Sequence, residues 1–174
     1  MNRRSFLQTS VYVPAGLFLT GNGLAQALGL LSPGNVVKLR CLGNIEGPRF
    51  LDGHTANGTV GLAPNSHPPY TGTSWQLMDA GQGAIALRCL GDIEGRRFLD
   101  GHTADGTVGL APNTHPPYTG TRWQVMEAGQ GAVALRCLGD IEGRRFLDGH
   151  TADGAVGLAP NTHPPYTGTR WAVF

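Results

Sequence analysis

The sequence predicts an all-β fold assembled from three copies of one four-stranded unit, and three observations lead there. Residues 39–174 hold one string written three times, starting at Leu39, Leu87 and Leu135 with a period of 48 residues. Fixed-period self-similarity sets architecture ahead of any local pattern. Within each copy, short alternating apolar runs are separated by Gly, Asn, Asp and Pro clusters, which is strand-and-turn patterning. The 27 glycines sit at recurrent turn positions rather than in low-complexity tracts.

The second copy shows the elements most plainly. Residues 84–90 alternate, with Ile85, Leu87 and Cys89 on one face and Ala86, Arg88 and Leu90 on the other. Residues 97–103, 107–111 and 121–126 supply three further strands. Asp105-Gly106 between the second and third, Asn57-Gly58 in the first copy, marks a tight hairpin because both residue types tolerate positive φ. Ala80-Gly81-Gln82-Gly83 carries the chain from one copy into the next. Three units of four strands give twelve short strands, and two closed arrangements compete for them. A propeller typically takes 4–8 blades, so three copies favour a β-trefoil: three four-stranded repeats around a pseudo-threefold axis, six strands in the barrel and six capping it. The expected domain spans 36–174, with repeats at about 36–83, 84–131 and 132–174.

A different kind of segment precedes the copies. Arg3 and Arg4 stand just before Ser5-Phe6-Leu7, and no further charge appears until Lys38. A mostly apolar stretch follows, broken by Gly16, Gly21 and Gly23 well short of the ~20 residues a membrane span needs. Ala25-Gln26-Ala27 fits a small-x-small cleavage site. Residues 1–27 resemble a twin-arginine (Tat) export signal read through Arg3 and Arg4 and cut after Ala25-Gln26-Ala27, with 28–35 a short linker. That resemblance implies a secreted bacterial protein, periplasmic or extracellular. Loss of 1–27 removes two of the 13 basic residues, leaving 11 against 12 acidic ones and a formal net charge of −1. Such a near-neutral chain gives no electrostatic case for nucleic acid or an anionic membrane surface. The mature chain is expected to be a monomer with no membrane span, large enough for one core.

The repeat pattern also resembles the fascin-like and ricin-B-like families of lectin-type β-trefoils. The match is a strand ending Leu-Arg-Cys-Leu-Gly, a Gly-x-x-Phe-Leu strand, a Val-x-Leu strand and a late tryptophan strand. It covers the mature chain and implies carbohydrate binding. The ricin-type Gln-x-Trp signature is absent, since Trp75, Trp123 and Trp171 follow Gly-Thr-x. That resemblance therefore transfers no sugar contacts.

The candidate chemistry divides into structural and functional groups. Trp75, Trp123 and Trp171 alternate with Leu77, Val125 and Val173, which reads as core. Cys41, Cys89 and Cys137 fall on the apolar face of each first strand; an odd, symmetry-related trio cannot pair off completely, so they read as buried thiols. Glu46, Glu94 and Glu142 near Arg49, Arg97 and Arg145 read as local ion pairs closing a loop. Two carboxylates per copy, such as Glu94 and Asp100, raise a glycosidase alternative whose separation the spacing does not fix. The His54-to-His67 spacing matches no compact metal-ligand motif, so no metal or other cofactor is expected.

The functional candidates are the Asp-Gly-His segment ending each second strand and the proline-rich loop before each fourth strand. Loops held on a rigid scaffold concentrate function, and this loop is the longest in each copy. The expected ligand-binding residues are Asp52, His54, Asn65, His67 and Tyr70 in the first copy. They are Asp100, His102, Asn113, His115 and Tyr118 in the second, and Asp148, His150, Asn161, His163 and Tyr166 in the third. Carboxylate and amide groups match sugar hydroxyls, and His and Tyr rings offer faces for a sugar's C–H side. The leading expectation is a non-catalytic, lectin-like carbohydrate-binding protein with up to three equivalent sites, its partner a glycan or polysaccharide. The alternatives are a protein-interaction or structural trefoil (inhibitor or envelope component) and, third, a polysaccharide-active enzyme. Ser74 in place of Arg122 and Arg170, and Pro48 in place of Arg96 and Arg144, suggest that the first site differs from the others.

Overall fold

The structure is a computed structural model describing residues 29–174. The export-signal reading, with Arg3, Arg4, Ala25 and Ala27, lies outside the described residues. Thirteen strands and three single 3-10 turns make up the elements. The first copy contributes β1 (Val36–Val37), β2 (Leu39–Cys41), β3 (Phe50–His54), β4 (Thr59–Ala63) and β5 (Trp75–Asp79). The second contributes β6 (Ile85–Cys89), β7 (Phe98–His102), β8 (Thr107–Ala111) and β9 (Trp123–Glu127). The third contributes β10 (Val133–Cys137), β11 (Phe146–His150), β12 (Ala155–Ala159) and β13 (Trp171–Val173). A 3-10 turn over Thr71–Thr73, Thr119–Thr121 or Thr167–Thr169 precedes each tryptophan strand.

Pairing neighbours close a circuit of ten antiparallel strands, β6-β7-β8-β12-β4-β3-β2-β13-β10-β9 and back to β6, with β1, β5 and β11 outside it. This corrects the β-trefoil expectation: the sheet is a closed ten-strand barrel plus three outer strands and does not resolve clearly into three four-stranded repeats. The physical reason is that backbone pairing ignores the copy boundaries. Fourth strands pair with the first strands of the next copy, as in β5 with β6 and β9 with β10. The three third strands, β4, β8 and β12, pair with one another. The count also departs from twelve. The first copy's opening strand changes neighbours at Lys38, which exchanges backbone hydrogen bonds with Phe174 (2.9 and 3.1 Å), so β1 joins β5 while β2 joins β13.

The core sits where the alternation placed it. Leu39, Leu87 and Leu135, with Trp75, Trp123 and Trp171, are fully buried. Each indole Nε1–H donates to the backbone carbonyl of Leu51, Leu99 or Leu147 at 3.0 Å, so burial leaves no orphan donor. The tryptophans are core residues. The cysteines are buried free thiols. Cys137 Sγ lies 3.5 Å from Gly101 O and 3.4 Å from Gly120 O, and Cys89 and Cys41 repeat the arrangement. Burial raises all three thiols above the ordinary cysteine range.

Copies also lock onto one another around the barrel. Leu110 N–H donates to Gly58 O, Leu158 to Gly106 O and Leu62 to Gly154 O, each at 2.8 Å. The hairpin glycine therefore serves its own turn through positive φ (+77 to +82°) and offers a carbonyl to the next copy. The first-copy departures follow from this circular packing. Arg122 Nη2 donates to Gln82 Oε1 (3.1 Å) and Arg170 to Gln130 Oε1 (3.2 Å) in the inter-copy turns. At the position matching Gln82 the first copy has Gly34, and Ser74 stands where an arginine would lack that glutamine.

Candidate functional site

Three clefts repeat around the barrel, each at a junction between copies. The second is lined by Asp100, Gly101 and His102 at the end of β7, by Pro117 to Gly120, and by Ile141 from the third copy. The first has Asp52, His54 and Tyr70 with Ile93 from the second copy. The third has Asp148, His150 and Tyr166 with Ile45 from the first. Their volumes are about 260, 370 and 220 Å³ respectively.

Local geometry fixes every wall. On β7, Asp100 is almost wholly buried while His102 is half exposed, with Nε2 3.4 Å from Asp100 Oδ2. The same pair measures 3.3 Å in the first copy and 3.4 Å in the third. In the first two copies the other ring nitrogen is also held, by Thr59 Oγ1 at 3.2 Å or Thr107 Oγ1 at 3.0 Å. Those hydroxyls are oriented by the turn residues Asn57 and Asp105 at 2.8 Å. Two hydrogen bonds from Thr107 draw the Asp105 carboxyl below the ordinary aspartate range. Ala155 takes the threonine's place in the third copy, leaving His150 without that partner.

The opposite wall is the 3-10 turn. Thr121 Oγ1 donates to Tyr118 O at 2.9 Å, and Tyr118 N–H donates to His115 O at 3.0 Å, which sets the tyrosine at the cleft. Gly120 is required because a Cβ there would overlap Gly101 O and lie 2.7 Å from Asp100 Oδ1. The roof comes from the next copy. Thr103 Oγ1 donates to Ile141 O at 2.6 Å, and Asp140 N–H reaches Thr119 Oγ1 at 3.3 Å. Ile45, Ile93 and Ile141 remain 60–62% exposed, an apolar rim on each recess.

Burial is the dominant influence on the cleft carboxylates and raises Asp52, Asp100 and Asp148 above the ordinary range, with the neighbouring histidine pulling the other way. A carboxylate stripped of water and held by a single imidazole keeps acceptor capacity for incoming O–H or N–H donors. The hydroxyls of Tyr70, Tyr118 and Tyr166 make no hydrogen bond among the described residues. Each cleft thus presents an acceptor-rich floor, a free phenol and an apolar rim.

Of the residues expected from sequence, the Asp, His and Tyr of each copy converge on one cleft. The other two do not join them. Asn65, Asn113 and Asn161 turn inward on their own loop, each Oδ1 accepting the backbone N–H of His67, His115 or His163 at 2.9–3.0 Å. Those histidines are exposed and line none of the three clefts. Sequence reading missed Ile45, Ile93 and Ile141. The available signal was a large apolar residue placed between Asn or Asp and Glu in a glycine-bounded turn, where nothing in its own copy could cover it.

The expected ion pairs form in two copies, Arg97–Glu94 at 3.7 Å and Arg145–Glu142 at 3.4 Å, with highly exposed glutamates outside the clefts. Ser74 and Pro48 also lie outside the first cleft, whose lining matches the others apart from the added Asn57. Among the described residues no group of three or more His, Cys, Asp or Glu gathers at metal-holding distance, and no helix is long and apolar enough to cross a membrane. No known family model matches the chain, and no curated protein shows significant similarity to it.

Proposed function

We propose that this protein is an exported, non-catalytic, lectin-like carbohydrate-binding protein whose three inter-copy clefts each take one sugar unit of a glycan or polysaccharide. The observation that carries the reading is the threefold recurrence of a desolvated carboxylate and a tyrosine lining one cleft with an exposed isoleucine at its rim. A pyranose has vicinal hydroxyls for the carboxylate and a C–H face for the tyrosine and isoleucine. Clefts of about 220–370 Å³ are small, so each site binds weakly. Three on one rigid body gain affinity for a repetitive ligand through effective concentration. Export to the periplasm or beyond follows from reading Arg3 and Arg4 as a signal, and places the protein where such polymers occur.

The exposed isoleucines favour a second reading, in which the same clefts grip a protein loop. A glycan array followed by competition with free monosaccharides separates the two. The expected result is array binding displaced by millimolar sugar and abolished by replacing Tyr70, Tyr118 and Tyr166 together with alanine. Replacing His67, His115 and His163 with alanine should leave binding intact, since those rings lie outside the clefts. Array binding that survives the tyrosine substitutions at an unchanged melting temperature rules out these clefts, and no glycan binding at all moves the assignment to a protein partner.

A further inference from the structure

A fourth recess, about 600 Å³ in volume, lies where the last strand meets the first copy and has no counterpart in the set of three clefts. Arg40, Glu46, Arg49, Phe50, Pro64 and Phe174 line it. Its origin can be read by comparing matching positions. On β6, Arg88 stands opposite Gln76 and donates to its Oε1 at 3.3 Å. On β10, Arg136 stands opposite Gln124 in the same way at 3.5 Å. On β2, the matching Arg40 faces Ala172 and makes no side-chain hydrogen bond or ion pair among the described residues. One step along the same face, Phe174 replaces Met78 and Met126 and is 59% exposed.

The second and third copies are otherwise nearly identical. From Leu135 to the end, the third departs from the second only at Ala155, Ala172 and Phe174. Two of those three changes therefore fall on this recess, one removing the cap from a guanidinium and the other setting an aromatic face beside it. Arg49 spends its guanidinium on the carbonyls of Cys41, Gly43 and Ile45, yet keeps its positive charge at the wall. Glu46 and the terminal carboxylate of Phe174 balance the two arginines, so the pull on an anion comes from the uncapped Arg40 guanidinium itself and not from a net charge of the recess.

We propose that this recess binds a carboxylate carried on a six-membered ring, the acid group on Arg40 and the ring face on Phe174. A guanidinium matches a carboxylate in two-pronged geometry, and an aromatic ring or the C–H face of a sugar ring packs on an exposed phenyl. A uronic sugar and an aromatic acid share this chemistry. The proposal does not depend on the tyrosine clefts, which share no lining residue with this recess.

The test is a heteronuclear NMR titration of the chain with glucuronate, benzoate and neutral glucose, repeated on Ala172→Gln and Arg40→Gln. A172Q installs the residue the first two copies already carry at this position, so the barrel accommodates it. The expected result is shifts at Phe174 and its neighbours with at least one of the two acids, weaker at high salt. Affinity should fall tenfold or more in both variants and stay unchanged when Tyr70, Tyr118 and Tyr166 are replaced by alanine. Stronger binding of glucuronate identifies a sugar acid, and stronger binding of benzoate an aromatic acid. Absence of shifts with both acids overturns the proposal. So does glucose binding as well as glucuronate, or affinity within twofold of the parent in A172Q and R40Q.

Discussion

Replacing Asp52, Asp100 and Asp148 together with asparagine separates a binding role from a structural one, because the two roles predict opposite outcomes. Each carboxylate is about 5% exposed, and its one side-chain partner is a half-exposed histidine at 3.3–3.4 Å. An ion pair with one exposed member contributes at most about 1 kcal/mol. Against that gain stands the cost of desolvating the charge, which is the larger influence at all three positions. The groups facing Asp100 are His102 on its own strand and, across the copy boundary, the Cys137 thiol, whose own value Asp100 helps to raise. A raised folded-state value means that the folded protein holds protons the unfolded chain has released. The carboxylates' favourable contribution is then complete below the ordinary aspartate value of about 3.9 and is lost as pH rises through the folded value. At neutral pH the parent bears the full cost, so the triple variant should be as stable as the parent or more so. Its advantage should shrink as pH falls through that window. Binding should move the other way. A lost hydrogen bond to a charged acceptor is worth about 1.5–3 kcal/mol, or roughly 10- to 150-fold per cleft. Urea midpoints between pH 3.5 and 7.5, alongside glycan binding at pH 7, measure both. A variant clearly less stable at neutral pH with its binding intact would show that the carboxylates hold the barrel together and read no ligand.

Two further outcomes test the packing that creates the clefts. Gly101→Ala puts a methyl group 2.9 Å from Cys137 Sγ, 3.1 Å from Trp123 and 3.2 Å from Leu158, all buried. Overpacking of this kind costs about 1–3 kcal/mol, or roughly 4–12 °C in melting temperature at about 4 °C per kcal/mol. Adding Cys137→Ala should return part of that loss in a double-mutant cycle by thermal unfolding, and strict additivity would show that the copies do not interlock there. Ala155→Thr restores in the third copy the hydroxyl that holds His54 and His102 in the others, at an exposed strand position that favours threonine. Its melting temperature should rise by about 1–4 °C, and a fall would mean that His150 is oriented by something other than the missing partner.

How far the molecule could be read from sequence depends on whether a contact is local or crosses a copy boundary. Strand positions were legible because Ile85, Leu87 and Cys89 alternate and Asp105-Gly106 can make only a narrow set of turns. The buried indoles were legible for a similar reason, since Trp75 and Leu77 share a face by period two. Closure of the barrel was not legible. No pattern within one copy says that Thr59 pairs with Gly109 or Ala155 with Gly61, and those pairings decide the architecture. At the site, Asp100 and His102 lie two residues apart on one strand, so their shared face follows from strand geometry alone. Tyr118 could be placed on a loop but not aimed, because its direction comes from Thr121 and from the glycine beneath it. Asn113 misled because its side chain is satisfied two residues on, within the loop, where the sequence offers a plausible ligand-reading amide.

Composite construction also constrains how such clefts can exist. Every cleft takes its roof from the next copy, and the third takes its roof, Ile45, from the first. The glycine between that isoleucine and the following arginine is fixed by the same contact: a Cβ on Gly95 or Gly143 would overlap the Thr55 or Thr103 carbonyl of the preceding copy. A single copy therefore has a floor and one wall but no roof, and its isoleucine, rim of a neighbour's cleft, has nothing to border. Each site needs two adjacent copies, and the third needs the chain to close on itself, so binding and folding depend on the same inter-copy contacts. A chain cut to two copies should then lose more than a third of its avidity, because removing residues 132–174 takes Ile141 from the second cleft and Asp148 with its tyrosine from the third. One complete cleft would remain, roofed by Ile93, in a barrel with no closing strands to hold it.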